Sequence, residues 1–126
     1  IWPRANAPAG AEQANAQSVA VLVDIPGGML VTGDQGRESQ ERFVREVEPV
    51  RIAVVPHHGS SDQSERLARA ADAKIAFISV GENSYGHPSR RAFELYSSAD
   101  VYDTKSCGTI VVAGSKVASR CEGPRG

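Results

Sequence analysis

The chain has 126 residues, a formal net charge of -1 at pH 7, and hydrophobic side chains at 40% of its positions. That length suits one small domain with a core and leaves little room for a second. Because basic and acidic residues are interspersed, a broad basic face for duplex DNA is excluded, and no apolar run approaches the ~20 residues that cross a bilayer. The amino end also lacks the pattern of a signal peptide, so we expect a soluble piece.

Residues 1–17 are rich in Ala, Pro, Gly, Asn and Gln, which bury too little apolar surface to offset the entropy lost on ordering. We expect a loop or extended tail there and a folded part over residues 18–126. The chain begins with Ile1 rather than a methionine, which predicts a segment of a longer protein.

The first predicted elements are a β-hairpin and a helix. Residues 18–25 alternate weakly between apolar and polar side chains, a Pro-Gly-Gly turn follows, and residues 29–32 return as the second strand. Residues 38–48 carry apolar side chains on one face among charges, which is typical of an amphipathic helix, and Pro49 ends it.

A buried strand and a second helix follow. The β-branched run over residues 52–55 predicts a strand buried on both faces, and Pro56 ends it because proline cannot donate to the ladder. Either Ser61 or Asp62 is expected to cap a helix that runs to about Ala71.

The rest of the chain continues the alternation of strands and helices. Residues 74–80 predict an apolar strand, and residues 89–98 predict a helix opened by a serine cap. Short strands are expected over residues 100–103, 109–113 and 116–121. This order of elements fits a layered α/β sandwich with one mixed sheet and flanking helices.

Two cysteines, Cys107 and Cys121, fall on what the pattern predicts as neighbouring strands. They form no Cys-x-x-Cys pair, which excludes a zinc knuckle and a thioredoxin-like motif. A hairpin disulfide is geometrically plausible and would indicate an oxidising compartment. Two reduced thiols fit the sequence equally well.

Three loops follow apolar strands and carry ionisable side chains at the point where each strand ends. Asp34 follows the second strand, His57 and His58 follow the third, and His87 lies in the loop after the fourth. If those strands lie side by side, these groups meet at one edge of the sheet, where open α/β sheets bind ligands. Such a mixture of imidazole and carboxylate suits zinc, manganese or iron at a hydrolytic site.

Each of these residues also has a plainer interpretation. Asp34 alone fits a turn residue that hydrogen-bonds its own backbone. The pair His57 and His58 fits a strand-to-helix turn, and His87 alone fits a hydrogen-bonding residue. The coincidence of three such loops is what favours a site.

These residues carry a resemblance to a known family. The matching motifs are Gly33-Asp34, the run from Val54 to Ser60, Ser79-Val80-Gly81, Asn83, and Tyr85-Gly86-His87-Pro88, with Trp2-Pro3, Asn15, Ser18, Tyr102, Thr104 and Gly108-Thr109-Ile110 around them. Together they resemble the carboxy-terminal part of the metallo-β-lactamase-fold domain in ComEC/Rec2 DNA-internalisation competence proteins. The resemblance covers nearly the whole chain.

The resemblance implies roles for particular residues. Asp34 would take the metal-bridging carboxylate place, and either His57 or His58 would be the late histidine ligand. His87 would lie beside the site as a contact for a phosphate or for proton transfer. The remaining polar residues, Ser60 and Asn83, would donate hydrogen bonds to a phosphate.

The resemblance also implies a setting. The parent would be a bacterial membrane protein that imports single-stranded DNA, with this domain outside the membrane on the extracellular side, where it degrades the strand that is not imported. Its partners would be single-stranded DNA, the upstream half of the same domain and the transmembrane channel part. Zinc or manganese would be bound in the complete domain.

The chain departs from the superfamily pattern in one respect. Complete members carry a His-x-His-x-Asp-His signature in the first half of the domain, and that string does not occur here. A catalytic zinc site needs at least three protein ligands plus water. We therefore expect the fragment alone to be inactive and to hold no metal or only a weakly bound one.

Three hypotheses follow from the sequence. The first is the second half of a two-metal phosphodiesterase or nuclease domain. The second is a catalytically inactive module that binds single-stranded DNA or an uptake partner through Arg37, Arg90, Arg91 and Lys105, which otherwise form a solvated surface. The third is a structural half-domain that associates with itself through an open sheet edge or apolar face.

Overall fold

The protein is described here by a computed structural model, which covers Asn15 and residues 18–124. In this part of the chain the strands are β1 (Val21–Val23), β2 (Met29–Val31), β3 (Ile52–Val54), β4 (Ile75–Ile78), β5 (Asp100–Asp103), β6 (Val111–Ala113) and β7 (Lys116–Ala118). The α-helices are α1 (Arg37–Phe43), α2 (Glu65–Ala71), α3 (Arg90–Leu95) and α4 (Thr104–Cys107). The predicted tail lies outside the described residues except for Asn15.

The main sheet has five strands in the order β1-β2-β3-β4-β5. Strands β1 and β2 are antiparallel, with Leu22 opposite Leu30, which confirms the predicted hairpin. Strands β2 to β5 run parallel. A mixed sheet with helices between its parallel strands confirms the predicted small α/β fold, and it brings the carboxyl ends of β2, β3 and β4 to one edge.

The two faces of the sheet bury different sets of side chains, because successive residues of a strand point to opposite sides. On β4, Ala76 and Ile78 join the larger core beneath the helices, whereas Ile75 and Phe77 join a smaller cluster on the other face. Helices α1, α2 and α3 cover the first face, and Phe43 and Leu67 are fully buried there.

The second face is covered by the antiparallel hairpin of β6 and β7. A disulfide between Cys107 and Cys121 joins the end of α4 to the segment after β7. The structure therefore selects the disulfide from the two states that the sequence left open. The expectation that both cysteines lie on strands was wrong, since α4 forms where a strand had been extrapolated and Asp103 caps it by accepting from the Ser106 N–H.

Most predicted elements are present but shorter, and one cap was misplaced. The predicted helix over residues 38–48 ends as α1 at Phe43 and continues as a single 3-10 turn. Helix α2 is capped by Ser64, whose Oγ accepts from the Leu67 N–H at 3.1 Å, and not by Ser61 or Asp62. The cap lies later because Gln63 is drawn into the core before the helix starts.

Candidate functional site

The three loops singled out in the sequence lie at the same edge of the sheet. The His57 N–H donates to the Gly33 carbonyl at 2.9 Å, which joins the loop after β3 to the loop after β2. On the other side, the Ser89 N–H donates to the Gly59 carbonyl at 2.7 Å, which joins it to the end of the loop after β4. Neighbouring parallel strands thus deliver the loops in the arrangement expected of a ligand-binding edge.

Asp34 and His58 form the closest pair at this edge. The distance between Asp34 Oδ1 and His58 Nε2 is 3.2 Å, and the two side chains are 43% and 51% exposed. The other ring nitrogen, His58 Nδ1, lies 2.7 Å from the carbonyl oxygen of Ser79 at the end of β4. The His58 ring is therefore held between a carboxylate and a backbone carbonyl, both of which are hydrogen-bond acceptors.

This arrangement restricts the chemistry of His58. A carbonyl oxygen can only accept a hydrogen bond, so Nδ1 carries the proton in the contact with Ser79. Nε2 of neutral His58 then turns its lone pair toward an Asp34 oxygen, and two acceptors face each other. The contact is favourable when a proton on Nε2 or a cation fills the space between them. In metal-ligating histidines, the N–H of the second ring nitrogen commonly donates a hydrogen bond to a carbonyl in this way.

His57 and His87 lie next to this pair. The ring centroids of His57 and His87 are 5.8 Å apart, and those of His57 and His58 are 6.3 Å apart. Burial lowers the pKa of His87, and the charges of His57 and His58 lower it further. Of the two adjacent histidines, His58 is the one beside Asp34, while His57 lies between His58 and His87.

The conformation of the loop after β3 explains why adjacent histidines point to different neighbours. His57 and His58 both adopt the left-handed region, with φ of 51° and 55°, which is uncommon outside glycine. Gly59 follows at φ 76°, and a Cβ there would lie 2.9 Å from Pro88 Cβ and 3.0 Å from Ile78 Cγ2. Only glycine fits this close approach to the next loop.

The two residues predicted to donate hydrogen bonds to a phosphate, Ser60 and Asn83, differ in their surroundings. Ser60 is 5% exposed, and its Oγ has no hydrogen-bond partner among the residues that the structure describes. The Asn83 amide is engaged within its own loop: Oδ1 accepts from the Tyr85 and His87 N–H groups, and Nδ2 donates to the Gly81 and His87 carbonyls. A phosphate contact from Asn83 would replace one of these hydrogen bonds.

A buried pair of glutamines connects the loops beneath the site, and sequence reasoning missed it. Gln63 Nε2 donates to the Pro56 carbonyl at 2.8 Å and to the Ser60 carbonyl at 3.1 Å, so it braces both ends of the histidine loop. Gln40 Nε2 donates to the Gln35 carbonyl at 2.7 Å, one residue from Asp34, and lies 3.4 Å from Gln63 Oε1. Both side chains are fully buried, and neither sits in a pattern that marks buried polar residues in a sequence.

Asp34 and His58 supply two donor atoms of the types that zinc and manganese accept. Over Asn15 and residues 18–124, no group of three or more His, Cys, Asp or Glu side chains is placed to hold a metal ion. Asp34 and His58 are thus fewer ligands than a zinc site needs.

The fold and this edge define a small α/β protein with an acid–imidazole pair at the carboxyl ends of parallel strands. Comparison with protein families, curated proteins and solved structures finds no match for the chain. Along the described part of the chain, no helix is long and apolar enough to cross a membrane.

Proposed function

We propose that this chain is part of a metal-dependent phosphodiesterase or nuclease domain of the metallo-β-lactamase type, from a DNA-uptake protein of the ComEC/Rec2 kind. The observation that carries the proposal is the pair of facing acceptors, Asp34 Oδ1 and His58 Nε2, with Nδ1 of the same ring fixed by Ser79. Asp34 and His58 would hold a cation through these two atoms, which would satisfy both acceptors.

In this proposal Asp34 and His58 are ligands, and the upstream half of the same domain supplies the rest. A metal bound there would polarise a phosphate diester and lower the pKa of an attacking water. His87, whose pKa is lowered, stays neutral near pH 7 and can accept a proton or a hydrogen bond beside the site. Ser60 contributes the hydroxyl that has no partner within the described residues.

The wider setting is proposed on the motifs alone. The domain would stand outside the bacterial membrane on its extracellular side, attached to a transmembrane channel part, and would act on single-stranded DNA. Because two ligands do not make a catalytic site, the chain by itself is expected to bind metal weakly and to cut no DNA.

Calorimetric titration of the chain with Zn²⁺ and with Mn²⁺ tests the ligand pair. We expect weak binding by the unaltered chain, and its loss in Asp34→Asn and in His58→Ala. Asp24→Asn, in the turn at the other edge of the sheet, serves as the matched control and keeps the binding. His57→Ala separates the two adjacent histidines and is expected to reduce the affinity less than His58→Ala does.

A longer form of the protein, extended upstream of Ile1, tests the reaction. It should bind about two metal ions per chain and cut single-stranded DNA, and Asp34→Asn should abolish cutting. Absence of metal from the extended protein, together with titrations in which the short chain and the Asp34→Asn variant behave alike, would contradict the proposal.

A second candidate is an inactive module that binds DNA or an uptake partner without metal. The same 3.2 Å contact favours it if His58 is protonated, because imidazolium then donates to both Asp34 and Ser79. Of the basic residues assigned to this role, Arg90 pairs with Glu94 at 3.0 Å and Lys105 with Glu82 at 3.5 Å. Tight binding of single-stranded DNA in chelator, with a steep salt dependence, would support the module.

A further inference from the structure

We infer that Tyr85 is a stacking platform for one base of a single-stranded nucleic acid, held beside the Asp34–His58 pair. The inference rests on the proposed function for its choice of nucleic acid, and it assigns a binding role to a residue outside the proposed ligand set. Its basis is an exposed aromatic ring on a loop whose backbone is fixed.

The Tyr85 ring is 81% exposed, the most exposed of the large hydrophobic side chains within the described residues. It is nevertheless not isolated. Its ring lies nearly parallel to that of His87, with centroids 5.7 Å apart and 27° between the planes. The tyrosine ring is thus stacked at an offset against the histidine, and most of Tyr85 stays exposed to solvent, which leaves room for a base to stack on it.

The loop holds the backbone of Tyr85 in place before any ligand arrives. Asn83 Oδ1 accepts from the N–H groups of Tyr85 and His87, both at 3.0 Å, and Asn83 Nδ2 donates to the His87 carbonyl at 2.7 Å. A single side chain therefore fixes the backbone on both sides of Gly86. Because this backbone is already ordered, stacking of a base has only the Tyr85 side chain left to order.

The Tyr85 ring lies at one end of a row of aromatic rings that leads to the Asp34–His58 pair. The distance between ring centroids is 5.7 Å for Tyr85 and His87, 5.8 Å for His87 and His57, and 6.3 Å for His57 and His58. A hollow of about 200 Å³ lies against Tyr85, His87 and His58. A base on Tyr85 would therefore border the same hollow as His58, which meets Asp34 at 3.2 Å.

The charges around the platform favour stacking over electrostatic capture. Glu82 lines the hollow beside Tyr85 and forms an ion pair with Lys105 at 3.5 Å, so the charge of that lysine is partly neutralised. The chain as a whole has a net charge of -1. Affinity for a strand must then come mainly from the base faces, which also makes the site tolerant of sequence, since every base presents a π-face.

Binding of a fluorescein-labelled dT12 to the 126-residue chain, measured by anisotropy in EDTA, tests the inference. Tyr85→Ala should weaken binding by about 5- to 150-fold, the range measured for the loss of one stacked base. Tyr85→Phe keeps the ring and should stay within about twofold of the unaltered chain. Val111→Ala, an exposed apolar residue on the distant hairpin, is the surface control and should bind like the unaltered chain.

An abasic 12-mer with the same phosphates distinguishes stacking from charge. We expect it to bind the unaltered chain about as weakly as dT12 binds the Tyr85→Ala variant. Equal affinity for dT12 and the abasic strand, equal affinity of the unaltered chain and Tyr85→Ala, or no binding of dT12 would each overturn the inference. Because EDTA removes metal, this result is independent of the metal titration: stacking can hold while the hydrolase proposal fails, and the reverse.

Discussion

At the scale of single residues, the ionisation of His87 reports the arrangement of the three histidines. Burial is the largest cause of its lowered pKa, and the charges of His57 and His58 add to it. We expect His57→Gln to raise the pKa of His87 toward 6.5 without restoring it fully. An NMR titration of the imidazole C–H signals in metal-free protein measures this, with Asp24→Asn as the remote control; an unchanged His87 titration would mean that the charge of His57 does not contribute.

The same shift predicts a pH dependence of stability. The folded-state pKa of His87 lies below the ordinary value of 6.5, so the unfolded chain binds this proton more tightly than the folded chain does. The contribution of His87 is therefore fully present above pH 6.5 and is lost as the pH falls through the folded pKa. Urea unfolding of the unaltered chain and of His87→Gln between pH 5 and 8 should show a slope that is smaller in the variant.

The candidate site could be predicted from the sequence only in part. The position of Asp34, His57, His58 and His87 after apolar strands is visible in the chain, because strand ends and turn residues leave a local pattern. The choice of His58 over His57 as the neighbour of Asp34 is not visible, because it depends on two left-handed residues in succession. The contacts of Gln63 were equally hidden, since they join parts of the chain that are distant from each other and no periodicity marks them.

At the scale of elements, the loop between β3 and α2 is held by close packing at Gly59. An alanine at position 59 would have an unfavourable φ, and its Cβ would lie within 3.0 Å of neighbouring atoms. We therefore expect Gly59→Ala to lower the free energy of unfolding by about 2 to 4 kcal/mol. Gly86→Ala has a similar φ but open space, and should cost only about 1 to 2 kcal/mol. Gly81→Ala, with neither constraint, should be nearly neutral. Urea denaturation of the three variants separates steric overlap from backbone strain, and equal costs for Gly59→Ala and Gly86→Ala would contradict the packing argument.

The buried glutamine beneath this loop should matter for the shape of the site as well as for stability. Gln63→Leu leaves the carbonyls of Pro56 and Ser60 without their side-chain donor, at a cost of about 1 to 3 kcal/mol. We also expect faster amide hydrogen exchange in the histidine loop, because both of its ends lose a brace. Ser61→Ala, an exposed neighbour, is the control; exchange rates in Gln63→Leu that match those of the control would show that the loop holds its shape without Gln63.

Element boundaries were less predictable than element order. The order of strands and helices follows from local periodicity, and the structure confirms it except for α4, which was not predicted. The lengths depend on tertiary contacts: Gln63 is buried ahead of α2, so the helix starts at a later cap than the sequence suggested. Helix α4, only four residues long, carries too little periodicity to be recognised.

At the scale of the whole molecule, the two faces of the sheet are protected unequally. Within the described residues, three helices cover one face, whereas the β6-β7 hairpin and the end of α4 cover the other, and a hollow of about 420 Å³ remains between that hairpin and side chains such as Met29, Ile52 and Phe77. The edge strand β1 adds exposed apolar residues, with Leu22 at 42% and Val23 at 38%. The hairpin is therefore what separates this apolar face from solvent and from other copies of the chain.

The disulfide fixes that hairpin, because Cys121 follows β7 directly and Cys107 is fully buried beneath it. The two cysteines are 14 residues apart, and a loop of that size predicts about 3 kcal/mol of stabilisation. We expect a reductant to lower the free energy of unfolding by about that amount and to release the hairpin, which exposes Phe77 and Tyr102 and promotes self-association. Chemical denaturation and sedimentation velocity, each with and without reductant, measure the two effects.

A Cys107→Ser, Cys121→Ser double variant is the control: it should resemble the reduced protein, and the reductant should not change its behaviour. If the reduced chain stays monomeric and loses no stability, the hairpin is held by its apolar contacts alone.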